Sequence, residues 1–225
     1  MVRKPTRGCF ITIEGLDGCG KSTQLEKLAA VLRAEGRDVV VTREPGGTPM
    51  GEKVRAILLD SRTSGLEAHA EMALMFAARA QHAAEVIRPA LEKGRIVLCD
   101  RFTDSTEAYQ GGGRRLGSEA VLTMHRILLG DFQPDLTILM DSEVAASVER
   151  ARRRNRGNAP AGTDENRFER ENRAFFERVR QAYVEIARRD LDRVLRVDAR
   201  RPVEVVHREI VQAVRSRFLR SSRTA

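Results

Sequence analysis

Short runs of apolar residues alternate along this chain with longer segments in which apolar residues recur every three or four positions. The short runs have the length of buried strands, and the longer segments have the periodicity of amphipathic helices. Five strands are predicted, over Cys9–Glu14, Val39–Arg43, Ile96–Asp100, Leu136–Asp141 and Val194–Asp198. Helices are predicted over Ser22–Glu35, Gly51–Leu59, Ala70–Lys93, Ser118–Leu129, Val144–Arg153, Glu169–Asp190 and Val203–Arg217. Apolar strands separated by helices predict an α/β fold, a three-layer sandwich with a parallel sheet and helices on both faces.

Two polar segments interrupt this alternation. Residues 155–166 read NRGNAPAGTDEN, and their glycines, proline and charges predict a flap, so we expect a short lid at about 152–168. Residues 216–225 form a basic tail that we expect to be flexible. Because the sequence contains no repeat and no low-complexity linker, residues 1–225 are predicted to form a single domain.

The composition limits the class of protein. No apolar run approaches the roughly 20 residues that cross a bilayer, and the basic start, Met1–Gly8, leads into a short strand rather than resembling a signal peptide. The three cysteines, Cys9, Cys19 and Cys99, lack the paired spacing of a metal site. We therefore expect free thiols, a cytoplasmic location and no membrane partner. Cys9 and Cys99 are expected in the core, whereas Cys19 is expected to be accessible.

The net charge of +8, from 40 basic and 32 acidic residues, allows two interpretations. The basic residues would bind nucleic acid, or arginines would gather around a polyphosphate substrate while others lie on solvated helix faces. The second interpretation is favoured, because the arginine-rich segment 150–180 is interleaved with glutamates. In addition, two tyrosines and no tryptophan leave few rings for stacking on bases. No stable nucleic-acid partner is expected.

The segment GLDGCGKS, Gly15–Ser22, matches the phosphate-binding pattern G-x-x-x-x-G-K-[ST] between a predicted strand and a predicted helix. Backbone N–H groups would surround phosphate oxygens, Lys21 would reach the β- and γ-phosphates, and the Ser22 hydroxyl would ligate Mg²⁺. The predicted ATP-binding residues are Gly15, Leu16, Asp17, Gly18, Cys19, Gly20, Lys21, Ser22 and Thr23. A glycine-rich turn with a chance lysine is the competing interpretation, and the matching strand and helix disfavour it.

The strand over Ile96–Asp100 is followed directly by Arg101. Because the carboxyl ends of parallel strands meet at one edge, Asp100 would lie beside the phosphate loop and hold Mg²⁺ directly or through water. Arg101 would bridge the donor and acceptor phosphates, whose negative charges crowd during phosphoryl transfer. A surface ion pair is the competing interpretation. The Asn/Thr-Lys-x-Asp sequence by which GTPases select guanine is absent from the chain.

Further segments stand in a fixed order along the chain. They are EGLDG at 14–18, TREPGGTP at 42–49, FAAR at 76–79, DRF at 100–102, Ser105, AYQGGGR at 108–114, PDLT at 134–137 and VDA at 197–199. Together they resemble the thymidylate kinases over about Phe10 to Val206. The resemblance implies transfer of the γ-phosphate of ATP, with Mg²⁺, to dTMP, giving dTDP in dTTP biosynthesis. It implies a P-loop NTPase-type sandwich with five parallel strands, helices on both faces and a lid, and it implies a homodimer.

The resemblance also implies roles at the phosphate and sugar of dTMP. Asp17 would accept a hydrogen bond from the 3′-hydroxyl, and Arg43 would hold the 5′-phosphate. Arg101 would lie between that phosphate and the γ-phosphate of ATP. Tyr109 would occupy the 2′ side of the sugar and disfavour ribonucleotides, unless it simply ends a helix.

At the base, the resemblance implies that Phe76 stacks on thymine and that Arg79 donates to its O4. Ser105, Thr106 and Gln110 would line the base and the sugar. The residues themselves leave other interpretations open. Phe76 has apolar neighbours and would serve equally as a core residue, and Arg79 would serve as a helix residue with its charged end in water.

Some thymidylate kinases carry a basic residue within the phosphate loop, and residues 16–19 of this chain contain none. The chain therefore resembles the bacterial arrangement, in which a lid arginine closes onto ATP. The candidates are Arg152, Arg153, Arg154, Arg156 and Arg167. Arg154 is the predicted catalytic arginine, together with Lys21 and Arg101. For several of the others, a solvated helix face is the competing interpretation.

Two alternatives to a thymidylate kinase stay open at this stage. Another P-loop kinase, for a nucleoside monophosphate or a deoxynucleoside, would turn over dCMP, UMP or a nucleoside faster than dTMP. A basic ATP-binding nucleic-acid protein would instead bind DNA or RNA in a salt-sensitive manner and release no ADP when dTMP is added.

Overall fold

The protein is described from a computed structural model that covers residues 8–63, 65–158 and 167–218, without the side chains of residues 154–158 and 169. Five parallel strands form one sheet in the order β2-β3-β1-β4-β5. They are β1 (Cys9–Glu14), β2 (Val39–Arg43), β3 (Ile96–Asp100), β4 (Leu136–Asp141) and β5 (Val194–Asp198). These bounds match the predicted strands, and the predicted α/β class is confirmed.

The strand register brings the ends of β1, β2 and β3 together. Ile13 on β1 and Arg43 on β2 both pair with Asp100 on β3. The residues that follow these three strands therefore emerge at one edge of the sheet, where ligands of such sheets bind.

The α-helices of the described residues cover both faces of the sheet. They are α1 (Lys21–Ala34), α2 (Pro49–Leu59), α3 (Ala68–His82), α4 (Arg88–Glu92), α5 (Thr103–Thr106), α6 (Ser118–Leu129), α7 (Val144–Asn158), α8 (Arg173–Arg189) and α9 (Val203–Phe218). The start of α2 is well defined, because the Thr48 side chain accepts from the Gly51 N–H at 2.9 Å and Pro49 is the first helical residue.

Three buried clusters hold these layers together. The first joins the sheet to α1 and α9, and it includes Ile11, Leu28 and Ile210. The second joins the sheet to α3 and α6, and it includes Phe10, Phe76 and Val121. The third lies under α8 and includes Leu139, Phe175 and Tyr183. Cys99 belongs to the second cluster as expected, whereas Cys9 is only partly buried.

A helical segment over 103–113 was not predicted. Here α5 runs into a wider π-helical stretch, Glu107–Gly113, although three glycines end it. A Cβ on Gly112 would lie 2.7 Å from the Ala182 Cβ, and one on Gly113 would lie 2.5 Å from the Phe175 ring. The glycines therefore allow α8 to pack directly on this segment, so tertiary packing outweighs their low helix propensity.

Several predicted helix bounds were wrong. The predicted helix Ala70–Lys93 is divided by a π-helical turn, Ala83–Ile87, between α3 and α4. The predicted helix Glu169–Asp190 is replaced by a short 3₁₀ turn, Phe168–Arg170, followed by α8. The break is set by Asn172, whose side chain accepts from the Phe175 N–H at 2.9 Å and so begins a new helix.

The predicted flap and tail overlap the ends of two described helices. Residues 155–158 of the flap belong to α7, which continues to Asn158, and residues 159–166 lie outside the described residues. Likewise α9 continues to Phe218, so only 219–225 of the predicted tail lie outside them. Across the described ranges, no helix combines the length and apolar character needed to span a bilayer.

Candidate active site

Three glycines shape the loop between β1 and α1. Gly15, Gly18 and Gly20 have φ angles of 135°, 80° and 100°, which residues with a side chain rarely adopt. A Cβ on Gly18 would also lie 2.2 Å from the backbone oxygen of Ser147. The loop therefore follows a course that requires glycine, as expected of a loop that wraps phosphate groups.

Lys21 lies inside this loop and is 6% exposed. Its Nζ donates to the carbonyl oxygens of Gly15 at 3.2 Å and Leu16 at 3.0 Å, and it lies 3.7 Å from Asp17 Oδ1. Ser22 and Thr23 are exposed in the first turn of α1, which contains no acidic residue. An ammonium group at the amino end of a helix makes this corner suitable for a polyphosphate.

Cys19 is buried, so the expectation that it is accessible was wrong. Its side chain fills the interior of the loop, with Sγ 3.0 Å from the position that a Cβ on Gly15 would take. Burial raises the pKa of the Cys19 thiol. The thiol is therefore neutral and is not a nucleophile.

Asp100 supplies a carboxylate oxygen that fits a cation. Its Oδ1 is buried and has no hydrogen-bond partner among the described residues. An orphaned carboxylate oxygen of this kind is costly unless a cation or water binds it. No group of three or more His, Cys, Asp or Glu residues in the described part of the chain is arranged to hold a metal. The donors fit Mg²⁺ held by few protein ligands and chiefly by phosphates and water.

Arg101 is held in a strained backbone conformation beside the phosphate loop. Its φ of 74° is unusual for a residue with a side chain, and its N–H donates to the Ile13 carbonyl at 3.0 Å. The side chain is 14% exposed, and its Nη2 donates to Asp17 Oδ1 at 2.8 Å. Nη1 donates to Ser105 Oγ at 2.8 Å and to the Tyr183 hydroxyl at 3.1 Å. The guanidinium therefore joins the loop after β1, the segment after β3 and α8.

Glu14 is fully buried beneath Arg101. Its Oε1 accepts the Phe102 N–H at 2.7 Å, and its Oε2 accepts the hydroxyls of Ser105 at 2.5 Å and Tyr183 at 2.9 Å. Burial, assisted by the negative charge of Asp104, raises the pKa of the Glu14 carboxyl from 4.5 to about 7, although Arg101 opposes the shift. Glu14 thus anchors the backbone and both hydroxyls that surround Arg101.

Arg79 on α3 is paired with a different buried carboxylate. Its Nε donates to Glu44 Oε2 at 2.7 Å, and its Nη2 donates to the Phe102 carbonyl at 3.1 Å and to Thr106 Oγ1 at 3.0 Å. Glu44 Oε1 is bonded to His82 Nδ1 at 2.9 Å. Arg79 Nη1 is buried without a partner among the described residues. One donor of a fixed guanidinium is therefore left for a carbonyl oxygen such as the O4 of thymine.

The other residues predicted at the base are buried around Arg79. Phe76 is 0% exposed and its ring lies 4.9 Å from the Arg79 guanidinium, so stacking on a base would require a face of the ring to open. Gln110 is 1% exposed and its Nε2 donates to Glu71 Oε1 at 2.7 Å. Thr106 is engaged by Arg79 as described. These contacts place the predicted base-binding residues together, and their roles toward the base stay predictions.

Tyr109 and Arg43, the other residues predicted to contact dTMP, differ in their surroundings. The Tyr109 hydroxyl lies 3.3 Å from Asp17 Oδ2 and 3.4 Å from Arg101 Nη2, and burial raises the pKa of Tyr109, so the hydroxyl keeps its proton. Arg43 is half exposed at the end of β2 and donates to Glu52 Oε2 at 2.9 Å. Its guanidinium has access to solvent and is free to meet an anionic ligand.

The candidate lid arginines differ in their surroundings. Arg167 donates through Nη1 to the fully buried Glu71 at 2.7 Å and through Nε to the Leu58 carbonyl at 2.5 Å, so its side chain is held against α2 and α3. Arg153 is exposed and pairs with Glu149 at 2.9 Å within α7. Arg152 is exposed on the same helix. The side chains of Arg154 and Arg156 lie outside the described residues, and Arg154 stays the predicted catalytic arginine.

Sequence reasoning missed the residues that hold the two arginines in place. Glu14 and Glu44 received no role, and Tyr183 was not singled out, whereas His82 was expected to be structural and does hold Glu44. A glutamate at the end of an otherwise apolar strand was the signal for Glu14. No comparable signal marks Tyr183, because its contacts are with residues more than 70 positions away.

Comparison with known proteins gives a consistent result. The model of the family described as thymidylate kinase matches residues 13–210. The thymidylate kinases of Pseudomonas putida (strain F1) and Desulfovibrio desulfuricans (strain ATCC 27774) are 53% and 52% identical to this chain over 168 and 166 residues. These alignments cover 75% and 74% of this chain and 76% of each relative. The crystal structure of thymidylate kinase from Ehrlichia chaffeensis superposes with a TM-score of 0.72 at 30% identity, over 93% of this chain and 99% of that one.

Proposed function

This chain belongs to the thymidylate kinase family and is an ATP-dependent nucleoside monophosphate kinase, and we propose that the residues gathered at the carboxyl edge of its sheet bind and activate both substrates. ATP is the phosphoryl donor, and dTMP is the acceptor that becomes dTDP. The observation that carries the proposed site is the position of Arg101, whose guanidinium lies against Asp17 of the phosphate loop on one side and Ser105 on the other.

The loop and the start of α1 would hold ATP. Its phosphates would lie against the N–H groups of Gly15–Thr23, with the Lys21 ammonium close to the β- and γ-phosphates. The burial of Lys21 supports this role, because a buried ammonium that donates only to carbonyls and lies near one carboxylate can still attract an anion.

Arg101 would lie between the γ-phosphate of ATP and the 5′-phosphate of dTMP. Two phosphorylated molecules repel each other, so a fixed cation between them lowers the barrier to phosphoryl transfer. The acceptor phosphate is already anionic near neutral pH, and the reaction needs no general base. Asp100 and Ser22 would hold Mg²⁺, directly or through water, and when bound the ion neutralises phosphate charge.

The base and sugar of dTMP would lie against the segment after β3 and the end of α3. The unpaired Nη1 of Arg79 supports a contact with the O4 of thymine. Ser105, Thr106 and Gln110 would complete the pocket with Phe76, and Asp17 would accept from the 3′-hydroxyl. Tyr109 would exclude a 2′-hydroxyl, and Arg43 would hold the 5′-phosphate.

Arg154 would add a further cation, beside Lys21 and Arg101, to the γ-phosphate when the lid closes and excludes water. The chain is further proposed to form a homodimer in the cytoplasm. Exposed apolar side chains on α2 and α6, including Met50, Ile57 and Ile127, support a partner surface. Sedimentation velocity at micromolar concentration would test the dimer, and a monomer would contradict it.

The assignment of the acceptor is tested by coupled ADP release with MgATP and a panel of nucleoside monophosphates. We expect kcat/KM for dTMP to exceed that for dCMP and UMP by at least about 100-fold. The amino group of cytosine would leave the donor of Arg79 unpaired, and the 2′-hydroxyl of UMP would meet Tyr109. Faster turnover of dCMP or UMP would contradict the assignment. No ADP release with dTMP would contradict the proposed site as a whole.

A further inference from the structure

Tyr183 is a buried tyrosine on α8 that the proposed function does not use. It is 3% exposed, and its hydroxyl lies 2.9 Å from Glu14 Oε2, 2.8 Å from Ser105 Oγ and 3.1 Å from Arg101 Nη1. Hydroxyl groups buried in a hydrophobic cluster are costly unless they are hydrogen-bonded, so the bonds to Glu14 and Arg101 account for its presence there. All three partners belong to the corner that surrounds Arg101.

The chemistry of these groups fixes the direction of the hydrogen bonds. Burial raises the pKa of Tyr183 well above its usual range, so the hydroxyl keeps its proton. An ionised Glu14 only accepts, and the hydroxyls of Tyr183 and Ser105 both donate to its Oε2. Each hydroxyl has a single proton, so the 2.8 Å contact between their two oxygens then carries no proton of its own. Their oxygen lone pairs are then left to accept from Arg101 Nη1. The result is a chain from carboxylate through hydroxyl to guanidinium, in which each bond strengthens the next.

The two ends of the Arg101 guanidinium face different surroundings. Nη1 is bonded to the two interior hydroxyls, whereas Nη2 donates to Asp17 of the phosphate loop. Asp17 has 37% of its side chain exposed, so Nη2 is on the accessible side. Holding Nη1 in the interior therefore determines where Nη2 points.

We propose that Tyr183 is a positioning residue for phosphoryl transfer, because its hydroxyl holds Arg101 Nη1 against the Glu14 carboxylate and thereby aims Nη2 at the phosphate loop. The inference rests on the proposed role of Arg101. It also connects α8, the helix that follows residues 167–172 at the end of the lid, to the arginine between the substrates.

Tyr183→Phe tests the proposal, because it removes one oxygen and keeps the ring that packs edge-on to Tyr109 at 6.4 Å. A hydrogen bond to a charged group is worth about 1.5–3 kcal/mol, so we expect kcat to fall by ~10-fold or more while KM for dTMP and ATP stays within about threefold. Loss of a donor to Glu14 should also move the acid limb of kcat to higher pH. The charges acting on that carboxyl, Asp104 and Arg101, are present in both enzymes. The phosphates of the substrates titrate equally in both.

Thr12→Val is the matched control. It removes another buried hydroxyl, on β1, that is bonded to Thr137 Oγ1 at 2.8 Å and does not contact Arg101. We expect its kcat within about twofold of the wild type and an unchanged pH profile, whatever its cost in stability. A Tyr183→Phe enzyme that behaves like Thr12→Val in kcat and pH profile would overturn the proposal.

The double variant Tyr183→Phe with Arg101→Ala distinguishes an effect of Tyr183 that acts through Arg101 from an effect that is independent of Arg101. If Tyr183 acts through Arg101, adding Tyr183→Phe to Arg101→Ala should change kcat by less than about twofold. A further tenfold loss would overturn the proposal while leaving the role of Arg101 intact. Near-normal kcat in Arg101→Ala alone would remove the proposed function of Arg101, and the inference would fall with it.

Discussion

Arg79, which is buried, and Arg101, which is 14% exposed, are both predicted to contact dTMP, and they are held in different ways. Arg79 is paired directly with the buried carboxylate of Glu44 at 2.7 Å, and only Nη1 is left without a partner. Arg101 reaches its buried carboxylate, Glu14, only through the hydroxyls of Ser105 and Tyr183. Its direct carboxylate partner is the partly exposed Asp17.

The difference follows from what each arginine has to meet. A direct buried ion pair neutralises the guanidinium and fixes its geometry, which suits a donor that reads one carbonyl oxygen. A link through neutral hydroxyls fixes the position but leaves more of the positive charge for a second anion. Such a charge suits a residue that must attract phosphates. We therefore propose that the surroundings of Arg79 serve recognition of the base and that the surroundings of Arg101 serve stabilisation of charge.

The largest effect is expected from Arg101→Ala. Removing the cation between the two phosphates should lower kcat by ~10⁴-fold, as expected when an arginine that stabilises a phosphoryl-transfer transition state is lost. Arg95→Ala is the matched control, because Arg95 lies at the other end of β3 and pairs with the exposed Asp38 at 2.8 Å. Coupled ADP release with dTMP measures both. A loss below about tenfold in Arg101→Ala would contradict the assigned role.

The second-largest effect is expected from breaking the direct ion pair between Glu44 and Arg79. Glu44→Gln leaves the Arg79 guanidinium buried without its counter-charge, and it should lower the free energy of unfolding by about 4 kcal/mol and raise KM for dTMP. Glu204→Gln is the control, because Glu204 forms a solvent-exposed pair with Lys27 at 2.9 Å whose loss should leave the free energy of unfolding nearly unchanged. Urea unfolding measures both variants. Equal losses in the two would show that the buried pair does not fix Arg79.

The buried Glu14, which is joined to Arg101 through the two hydroxyls, predicts that the stability of the protein depends on pH. Burial raises the pKa of Glu14 from 4.5 to about 7, so between these values the folded state binds more protons than the unfolded state. Stability is therefore full at low pH and is lost as pH rises through about 7. Relative to Glu14→Gln, the wild type should lose about 3 kcal/mol between pH 5 and pH 8. Urea unfolding at these two pH values measures the loss, and parallel curves for the two proteins would contradict a buried, titrating Glu14.

The smallest of these effects concerns the lid. Arg154→Ala should lower kcat by ~10²-fold, because it removes one of several cations that act on the γ-phosphate, and Lys21 and Arg101 stay in place. Arg153→Ala, which removes a neighbouring exposed arginine paired with Glu149, should stay within about threefold. Steady-state kinetics with varied ATP distinguishes them. The reverse order would transfer the catalytic role to Arg153.

The strands and the phosphate loop could be predicted from the sequence because their signals are local. The apolar strands gave the bounds of β1 to β5, and the pattern Gly15–Ser22 gave the loop whose glycines have positive φ. The helical segment 103–113 was missed because three glycines argue against a helix unless the packing of α8 is known. Tyr183 was missed for a similar reason, since its partners Glu14 and Ser105 are 169 and 78 positions away.

The proposed difference in role, with Arg79 recognising the base and Arg101 stabilising phosphate charge, has one most direct test. It is the ratio of kcat/KM for dTMP to that for dCMP, measured in Arg79→Ala and in Arg101→Ala. The account predicts that Arg79→Ala lowers this ratio by ~10-fold or more, because the donor to the carbonyl of thymine is lost. It predicts that Arg101→Ala leaves the ratio within about threefold while kcat collapses for both substrates. A ratio that is preserved in Arg79→Ala, or lost in Arg101→Ala, would contradict the account.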